Sequence, residues 1–314
     1  MASPATELCR LEGIRMRYGA EEVLRGLDLS LPRGGILGLV GENGSGKSTL
    51  LKILAGILRP EAGVLRAPAG RPRVGYMPEN CQWYPHLSGA QVLDYFARFT
   101  GSDPEERRRA LKRVGLWEAR DKRLAAYSKG MRQKLGLAGA MGGAPDLLVL
   151  DEPTNGLDPR GIIDFYAVLA QSVAAGSTVV LSSHLLSELE GRITHIAFLH
   201  GGRVVASGAC ADLIARAGLD HRAELQGPEE LLRALEGLAR ARAWRSSRRA
   251  GRLELGLGFG ELPRLLQELA SAPPLQVNIK PPSLEDLYLH QMGRPAPFGA
   301  NGRAAAPSLV AETP

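Results

Sequence analysis

The segment that most limits what this chain can fold into is a glycine-rich turn between two apolar stretches. It reads Gly41-x-x-x-x-Gly46-Lys47-Ser48 and stands between "ILGLV" and "STLLKILAGIL". The first stretch is short and uniformly apolar, which is typical of a buried parallel strand. The second has apolar residues at helical spacing and stops at Pro60. A strand, a glycine loop and a helix start in this order form a phosphate-binding P-loop, so the pattern predicts an α/β core.

The residue types of this loop suit a nucleoside triphosphate. Glycines let backbone N–H groups curl around the β-phosphate without side-chain clashes, and the helix N-terminus adds a favourable dipole. We expect Lys47 to contact the β- and γ-phosphates and Ser48 to hold Mg²⁺. The predicted ATP-binding loop residues are Gly41, Asn43, Gly44, Ser45, Gly46, Lys47, Ser48 and Thr49.

A second motif, "DLLVLDEPTNGLDP", is an apolar strand that ends in two acids. Asp151 stands at the strand end, where it is placed to hold Mg²⁺ directly or through water. Glu152 is placed as the general base for the water that attacks the γ-phosphate, because that water must lose a proton as the P–O bond forms. The motif predicts a hydrolytic site built on the P-loop.

Three further segments resemble the motifs of ABC ATPases. "YSKGMRQKLGLAGAM" (127–141) resembles the family's signature segment, and "NGLD" (155–158) resembles its D-loop. "LSSH", which ends at His184, is similar to the switch-histidine strand, and Tyr18 falls where the family stacks an aromatic ring on adenine. The resemblance covers residues 8 to about 215. It implies that His184 contacts the γ-phosphate and that Asp158 belongs to the nucleotide site.

The signature segment departs from the commonest form of the family. Ser128 and Gly130 are present, whereas Tyr127, Lys129 and Met131 replace the usual Leu, Gly and Gln. The resemblance implies a homodimer packed head to tail, with each ATP between the P-loop of one copy and the Ser128 hydroxyl of the other. The Gly130 backbone would approach the same phosphates. Hydrolysis would then move a multi-span membrane permease.

The stretch "GYMPENCQWYPHLSG" places Glu79 where ABC ATPases carry a glutamine near Mg²⁺. A glutamate offers a charged oxygen, which is a stronger ligand for a hard cation. Glu79 is therefore predicted to be a metal ligand with Ser48 and Asp151, the alternative being a plain turn carboxylate. Trp83 and Tyr84 follow it, and either permease docking or packing inside the helical subdomain would explain them.

Within the family, "PENCQWYPHLSG" and "DYFARFTG" are similar to the branch that serves ABC-2 type exporters, and most like the NosF ATPases of nitrous oxide reductase maturation. This resemblance implies a periplasmic accessory protein reached through the permease, and transport of a sulfur or copper species. One alternative is an exporter ATPase for a drug, lipid or polysaccharide. Another is a soluble ABC protein acting on ribosomes or DNA, although one P-loop and no sustained heptads argue against it.

The resemblance implies a parallel-sheet core with an antiparallel β subdomain and an α-helical subdomain. After "GGRVVASGACADLIARAGL" the pattern changes to a strand–helix–strand–strand–helix–strand order, which predicts a small ferredoxin-like α+β unit. The final segment is rich in Pro, Gly and Ala and is predicted to be disordered. The predicted divisions are 1–217 (nucleotide-binding, helical subdomain about 80–143), 218–292 (accessory) and 293–314 (tail).

Cysteine use and charge bound the setting of the protein. Cys9, Cys81 and Cys210 lie far apart in the sequence, which argues against a disulfide framework or a zinc ribbon. The start has no signal-peptide pattern, and no stretch is apolar enough to span a bilayer, so we expect a cytoplasmic protein held at the inner membrane face by its permease. The net charge of +6 gathers in 105–123 and 239–252. Solvated faces or an anionic surface would explain these clusters, and no nucleic-acid partner is expected.

Overall fold

The computed structural model describes residues 7–249, 251–270 and 273–293. The chain forms two compact units that divide after Cys210, ahead of the boundary predicted after residue 217. All of the predicted tail, 293–314, except residue 293 lies outside the described residues.

The first unit opens with a three-stranded antiparallel sheet. Its strands are β1 (Glu7–Tyr18), β2 (Glu21–Pro32) and β4 (Ala62–Arg66), in the order β2-β1-β4. Apolar residues of β1 and β2 alternate toward the interior, because a half-buried antiparallel strand has a period of two. This sheet is the predicted antiparallel β subdomain.

The main sheet of the first unit has six strands in the order β5-β6-β7-β3-β8-β9. Pairing is parallel from β5 through β8, and only β9 runs antiparallel to its neighbour. Every residue of β3, β6 and β7 is buried, since the central strands of a parallel sheet are covered on both faces. The strands are β3 (Gly35–Gly41), β5 (Val74–Met77), β6 (Leu147–Leu150), β7 (Thr178–Ser183), β8 (His195–His200) and β9 (Arg203–Ala209).

Helices connect these strands, and three of them form the predicted helical subdomain. Its first two helices each begin with a capping box, at Ser88 and at Asp103, which satisfies backbone N–H groups at the helix start. Short 3₁₀ turns at Trp117–Ala119 and Leu124–Ala126 precede the third. The helices are α1 (Lys47–Leu54), α2 (Gly89–Thr100), α3 (Pro104–Arg113), α4 (Lys129–Ala140), α5 (Pro159–Ala174) and α6 (Leu186–Leu189). The next helix, α7 (Cys210–Ala217), begins at the division between the two units.

A single apolar cluster joins the antiparallel sheet, α1 and the main sheet. Leu24 and Leu27 of β2 share it with Leu50 and Leu54 of α1, and Leu199 of β8 closes it. All five residues are nearly or fully buried. Because β3 and α1 both contribute to this cluster, the elements before and after the glycine loop are held in the core.

The second unit has the strand order β11-β12-β10-β13, with every neighbouring pair antiparallel. This is the ferredoxin-like arrangement predicted from the sequence. Its core contains Leu225, Leu255 and Trp244. The elements are β10 (His221–Gln226), α8 (Glu229–Ala241), β11 (Arg245–Arg249), β12 (Arg252–Leu257), a 3₁₀ turn (Phe259–Glu261), α9 (Leu262–Ala270), β13 (Gln276–Lys280) and α10 (Leu284–Gln291).

None of the helices in the described part of the chain combines the length and apolar character needed to cross a bilayer.

Candidate functional site

The predicted site residues follow the carboxyl ends of neighbouring parallel strands. The glycine loop follows β3, Glu79 follows β5, Asp151 follows β6 and His184 follows β7. Strands β5, β6, β7 and β3 are consecutive in the sheet. Ligands bind outside the carboxyl ends of such strands, so the sheet brings these four predictions to one edge.

The glycine loop is shaped by close packing and by backbone that disfavours side chains. Gly46 has φ 103° and directly precedes α1, and a Cβ there would lie 2.7 Å from Leu24 Cδ2. The Lys47 ammonium, which is buried, donates to Gly41 O at 2.7 Å and to Glu42 O at 3.2 Å. The loop therefore curls around its own lysine.

Two features of this loop fit a phosphate group. No side chain caps the start of α1, so its first N–H groups keep their donors available. The hydroxyl of Ser45 is buried and has no hydrogen-bond partner among the described residues. Buried polar groups are nearly always paired, so an unpaired hydroxyl in a glycine loop suits a ligand oxygen.

Asp151 is held in a buried position at the end of β6. Asp151 as a whole residue is only 3% exposed. Oδ1 accepts a hydrogen bond from Ser182 Oγ at 2.8 Å and one from Ser48 Oγ at 3.2 Å. Oδ2 has no donor within the described ranges, so one carboxylate oxygen stays free for a cation or its water.

Glu152 adopts a left-handed backbone, with φ 45°. That region costs a non-glycine residue about 1–3 kcal/mol, so neighbours must hold it. Its N–H donates to Ser182 Oγ at 2.8 Å, and its Oε2 lies 2.8 Å from Nδ1 of the exposed His184. Ser48, Asp151, Glu152, Ser182 and His184 thus form one hydrogen-bonded group, which we call the strand-end cluster.

Glu79 lies beside this cluster but is not bonded to it. Met77 pairs with Leu150 in parallel register, and the Asp151 N–H donates to Met77 O at 2.9 Å. Glu79, two residues beyond Met77, is half-buried and forms no hydrogen bond or ion pair with any described residue. Burial first, and then the Asp151 carboxylate, raise the pKa of nearby Tyr76 to about 12, so its phenol stays neutral.

The signature segment and the D-loop contact each other in the same chain. Ser128 caps α4, with its Oγ accepting from the Met131 N–H at 3.1 Å. A Cβ on Gly130 would lie 3.3 Å from Leu157 Cδ2, and the Lys129 side chain lies against Gly156. No hydrogen bond joins this segment to the strand-end cluster among the described residues.

The remaining predicted residues take local positions. Asp158 caps α5, with its Oδ1 accepting from the Gly161 N–H at 2.7 Å. Tyr18 ends β1 and is 50% exposed, which leaves its ring free to meet a base. Asn43 is exposed and Thr49 is half-buried.

The structure separates the two aromatic residues that the sequence left open. Trp83 is half-buried and meets Phe96 edge to face, with ring centroids 5.5 Å apart. Tyr84 is 71% exposed. Subdomain packing therefore explains Trp83, whereas Tyr84 is exposed, as are Tyr95 and Phe99 of α2 at 57% and 73%.

Sequence reasoning missed several contacts and exposed residues. Ser182 stands inside the quoted "LSSH", but nothing in the motif shows that it faces the acids of another strand. Thr154 donates to Glu188 Oε2 at 2.7 Å, which ties the segment after Glu152 to α6. The exposed pair Tyr95 and Phe99 was visible as an i, i+4 aromatic pair in "DYFARFTG".

Comparison with known proteins agrees with this geometry. The ABC transporter family model matches residues 24–155. The daunorubicin resistance ATP-binding protein DrrA3 of Streptomyces coeruleorubidus is 33% identical, over 90% of this chain and 95% of its own length. This chain belongs to the ABC transporter ATP-binding proteins. It is therefore an ABC ATPase, an enzyme that binds and hydrolyses ATP.

Two further comparisons place it within the family. The Nod factor export ATP-binding protein I of Cupriavidus pinatubonensis is 34% identical, over 92% of each chain. A solved structure of an ATP-binding subunit of an ABC transporter superposes with a TM-score of 0.61 at 29% identity, covering 67% of this chain and 93% of that one. The predicted ABC ATPase fold is confirmed.

Proposed function

We propose that this ABC ATPase works as a homodimer in which each ATP lies between the glycine loop of one copy and Ser128 of the other. One observation carries this proposal. The exposed Ser128 hydroxyl accepts from the Met131 N–H, and because its hydrogen has no acceptor among the described residues it is accessible to a group outside this chain. An exposed hydroxyl donor at a helix N-terminus suits a γ-phosphate, and no hydrogen bond joins Ser128 to the glycine loop of the same chain among the described residues.

Within each copy, the glycine loop and Lys47 would bind the triphosphate. Glu152 would accept the proton of the attacking water at its carboxylate, and His184, already 2.8 Å from Glu152 Oε2, would contact the γ-phosphate. Asp158 and Tyr18 would contribute from the D-loop and the adenine side. The base is thus positioned before ATP arrives.

The residues present fit a Mg²⁺ ion. Ser48, the free Oδ2 of Asp151 and the unpaired Glu79 offer hard oxygen ligands at one sheet edge. These three residues would hold the ion, which neutralises charge on the β- and γ-phosphate oxygens when it is bound.

The helical subdomain supplies a surface for a membrane permease. Tyr84, Tyr95 and Phe99 are exposed aromatic side chains at its start, and aromatic residues are enriched at protein interfaces. Through this contact the ATPase would lie at the inner face of the cell membrane. The accessory unit, residues 218–292, would support the dimer or regulate it.

A pull-down tests the docking surface. Tyr84→Ala should weaken co-purification of the permease by about 5-fold or more, because truncating an aromatic hot spot at an interface costs over about 1 kcal/mol. ATP hydrolysis by the isolated subunit should stay unchanged. Val205→Ala, which removes another exposed apolar side chain far along the chain on β9, is the control. Wild-type recovery with Tyr84→Ala would contradict the proposed surface.

Two cargo classes follow from different observations. The names of the compared relatives concern daunorubicin resistance and Nod factor export, which favours an exporter of an organic molecule. The segments within residues 75–101 favour a NosF-like role with a periplasmic accessory protein. With either cargo class, the cargo would pass through the permease.

The partner decides between these classes. The permease that co-purifies with the full-length chain should be identified by mass spectrometry, and the gene deleted in its host. A NosF-like role predicts loss of the copper–sulfur absorbance of nitrous oxide reductase in the deletion strain. Unchanged absorbance, together with loss of drug or lipid export, would assign the protein to the exporters.

A further inference from the structure

We propose that Ser182 is a positioning residue for ATP hydrolysis, because its hydroxyl fixes Asp151 and Glu152 in one arrangement. This inference rests on the proposed roles of those two acids. Ser182 lies on β7, is 0% exposed, and touches both acids through a single oxygen atom.

The sheet register creates this contact. Leu150 of β6 pairs with Leu181 of β7 in parallel register, so the residue after each faces the other beyond the end of the pairing. Asp151 and Glu152 follow a strand of only four residues. Ser182 belongs to a longer strand that continues to Ser183 and pairs with β3 on its other side. The better anchored strand thereby holds the end of the shorter one.

The hydroxyl uses both of its hydrogen-bonding roles. Its oxygen accepts the Glu152 N–H at 2.8 Å, so its single hydrogen is directed to Asp151 Oδ1, also at 2.8 Å. With Ser48 Oγ on the same oxygen at 3.2 Å, Oδ1 receives two donors. The Asp151 carboxylate is therefore rotated so that Oδ2, rather than Oδ1, stays free.

The same contact supports the unusual backbone of Glu152. A residue with φ 45° persists only where its surroundings hold it, and Ser182 supplies the partner for its N–H. If that partner is lost, the backbone can relax toward an ordinary conformation. The Glu152 carboxylate would then turn away from His184, whereas Lys47 and the glycine loop would be unaffected.

Loss of the Ser182 hydroxyl should therefore lower the turnover of ATP while leaving its binding nearly unchanged. Ser182→Ala should lower kcat by about 10- to 100-fold, the range expected when a reacting group is misplaced by about 1 Å. The Kd for ATP in EDTA should change by less than about 2-fold. Ser182→Thr, which keeps the hydroxyl, should recover most of the lost kcat.

Ser172→Ala is the matched control. Ser172 is also buried, at 3% exposure, and its hydroxyl donates to Val168 O at 3.1 Å on α5, away from the acids. Both alanine variants should shift the Tm similarly, but only Ser182→Ala should lower kcat. Equal kcat values for the two alanine variants would overturn the proposal.

A double variant decides the matter if the threonine substitution overpacks the core. In a Glu152→Gln background, adding Ser182→Ala should lower single-turnover hydrolysis by less than it does in the wild-type chain, because the part of its effect that acts through the Glu152 carboxylate is already lost. A full additional loss would contradict a positioning role through Glu152. Near-normal turnover by Glu152→Gln alone would instead remove the proposed base itself, so the two failures are distinguishable.

Discussion

Two serine hydroxyls, Ser182 and Ser128, mark two regions of the first unit that differ in how complete they are. Ser182 accepts from the Glu152 N–H and donates to Asp151 Oδ1, so both of its roles are filled inside the chain. Ser128 accepts from the Met131 N–H at the start of its own helix, and its hydrogen has no acceptor in the described ranges.

The difference separates a buried hydroxyl whose partners lie within the chain from an exposed hydroxyl whose hydrogen is open to a group outside the chain. Hydrogen bonds hold the strand-end cluster together, and we infer that such a cluster needs no rearrangement at the moment of reaction. The signature segment has its helix start capped by Ser128 and contacts the D-loop through Gly130 and Leu157. We infer that one copy of the chain supplies the acid–base chemistry, and that a second copy supplies the remaining phosphate contact.

The strongest test of the preorganised half removes its base. Glu152→Gln should lower ATP turnover by about 10²-fold or more, because the amide cannot take the proton of the attacking water. ATP binding should persist, and gel filtration should show an ATP-bound dimer. Glu61→Gln, an exposed glutamate outside the cluster, should behave as wild type. Near-normal hydrolysis by Glu152→Gln would reject the base assignment.

A mixing experiment tests the incomplete half. Lys47→Ala should lower ATP affinity by about 10-fold or more, since a contact to a charged group is worth about 1.5–3 kcal/mol. Ser128→Ala should bind ATP normally but hydrolyse it about 10-fold more slowly. In a mixture of the two, the intact glycine loop of one chain would meet the intact Ser128 of the other. Phosphate release should therefore exceed the sum of the separate variants.

Lys52→Ala removes a cation from the other end of α1, away from the loop, and should not give this complementation. If mixing Lys47→Ala with Ser128→Ala recovers no activity, each site would have to lie within a single chain. Ser128 would then not contribute to the ATP site of a second copy.

Sequence reasoning reached the parts of the site that local patterns encode. Glycine spacing before α1, a four-residue apolar strand before Asp151 and the strand before His184 each carry their own signal. The βαββαβ order of the second unit was likewise readable from short apolar runs and helical spacing. Each of these features depends on residues close together in the chain.

What the sequence did not provide depends on contacts between distant segments. The role of Ser182 follows from the register of β6 against β7, which no local pattern specifies. Trp83 packs on Phe96 of α2, and the local sequence does not specify this contact. Permease docking and subdomain packing therefore both remained open for Trp83. The left-handed backbone of Glu152 is set by its neighbours, because glutamate has no intrinsic preference for it.

Glu79 gives the smallest expected effect and the finest test of the same comparison. It lies at the sheet edge of the preorganised cluster, yet among the described residues it has no partner, like the hydroxyl hydrogen of Ser128. If its carboxylate helps hold Mg²⁺, Glu79→Gln keeps one oxygen but loses the charge. The Mg²⁺ concentration for half-maximal ATPase should then rise by roughly 2- to 5-fold, as expected when a charged ligand becomes a neutral one.

Glu79→Ala removes the oxygen altogether and should raise the Mg²⁺ requirement further, while ATP binding in EDTA stays constant. Glu61→Ala again serves as the control for loss of a carboxylate elsewhere. The assay is ATPase rate against Mg²⁺ concentration at saturating ATP. If both Glu79 variants followed the wild-type curve, Glu79 would be a turn carboxylate, and Ser48 with Asp151 would hold the ion without it. If the Mg²⁺ requirement instead rose from wild type to Glu79→Gln and again to Glu79→Ala, the Glu79 carboxylate would be a ligand of the ion.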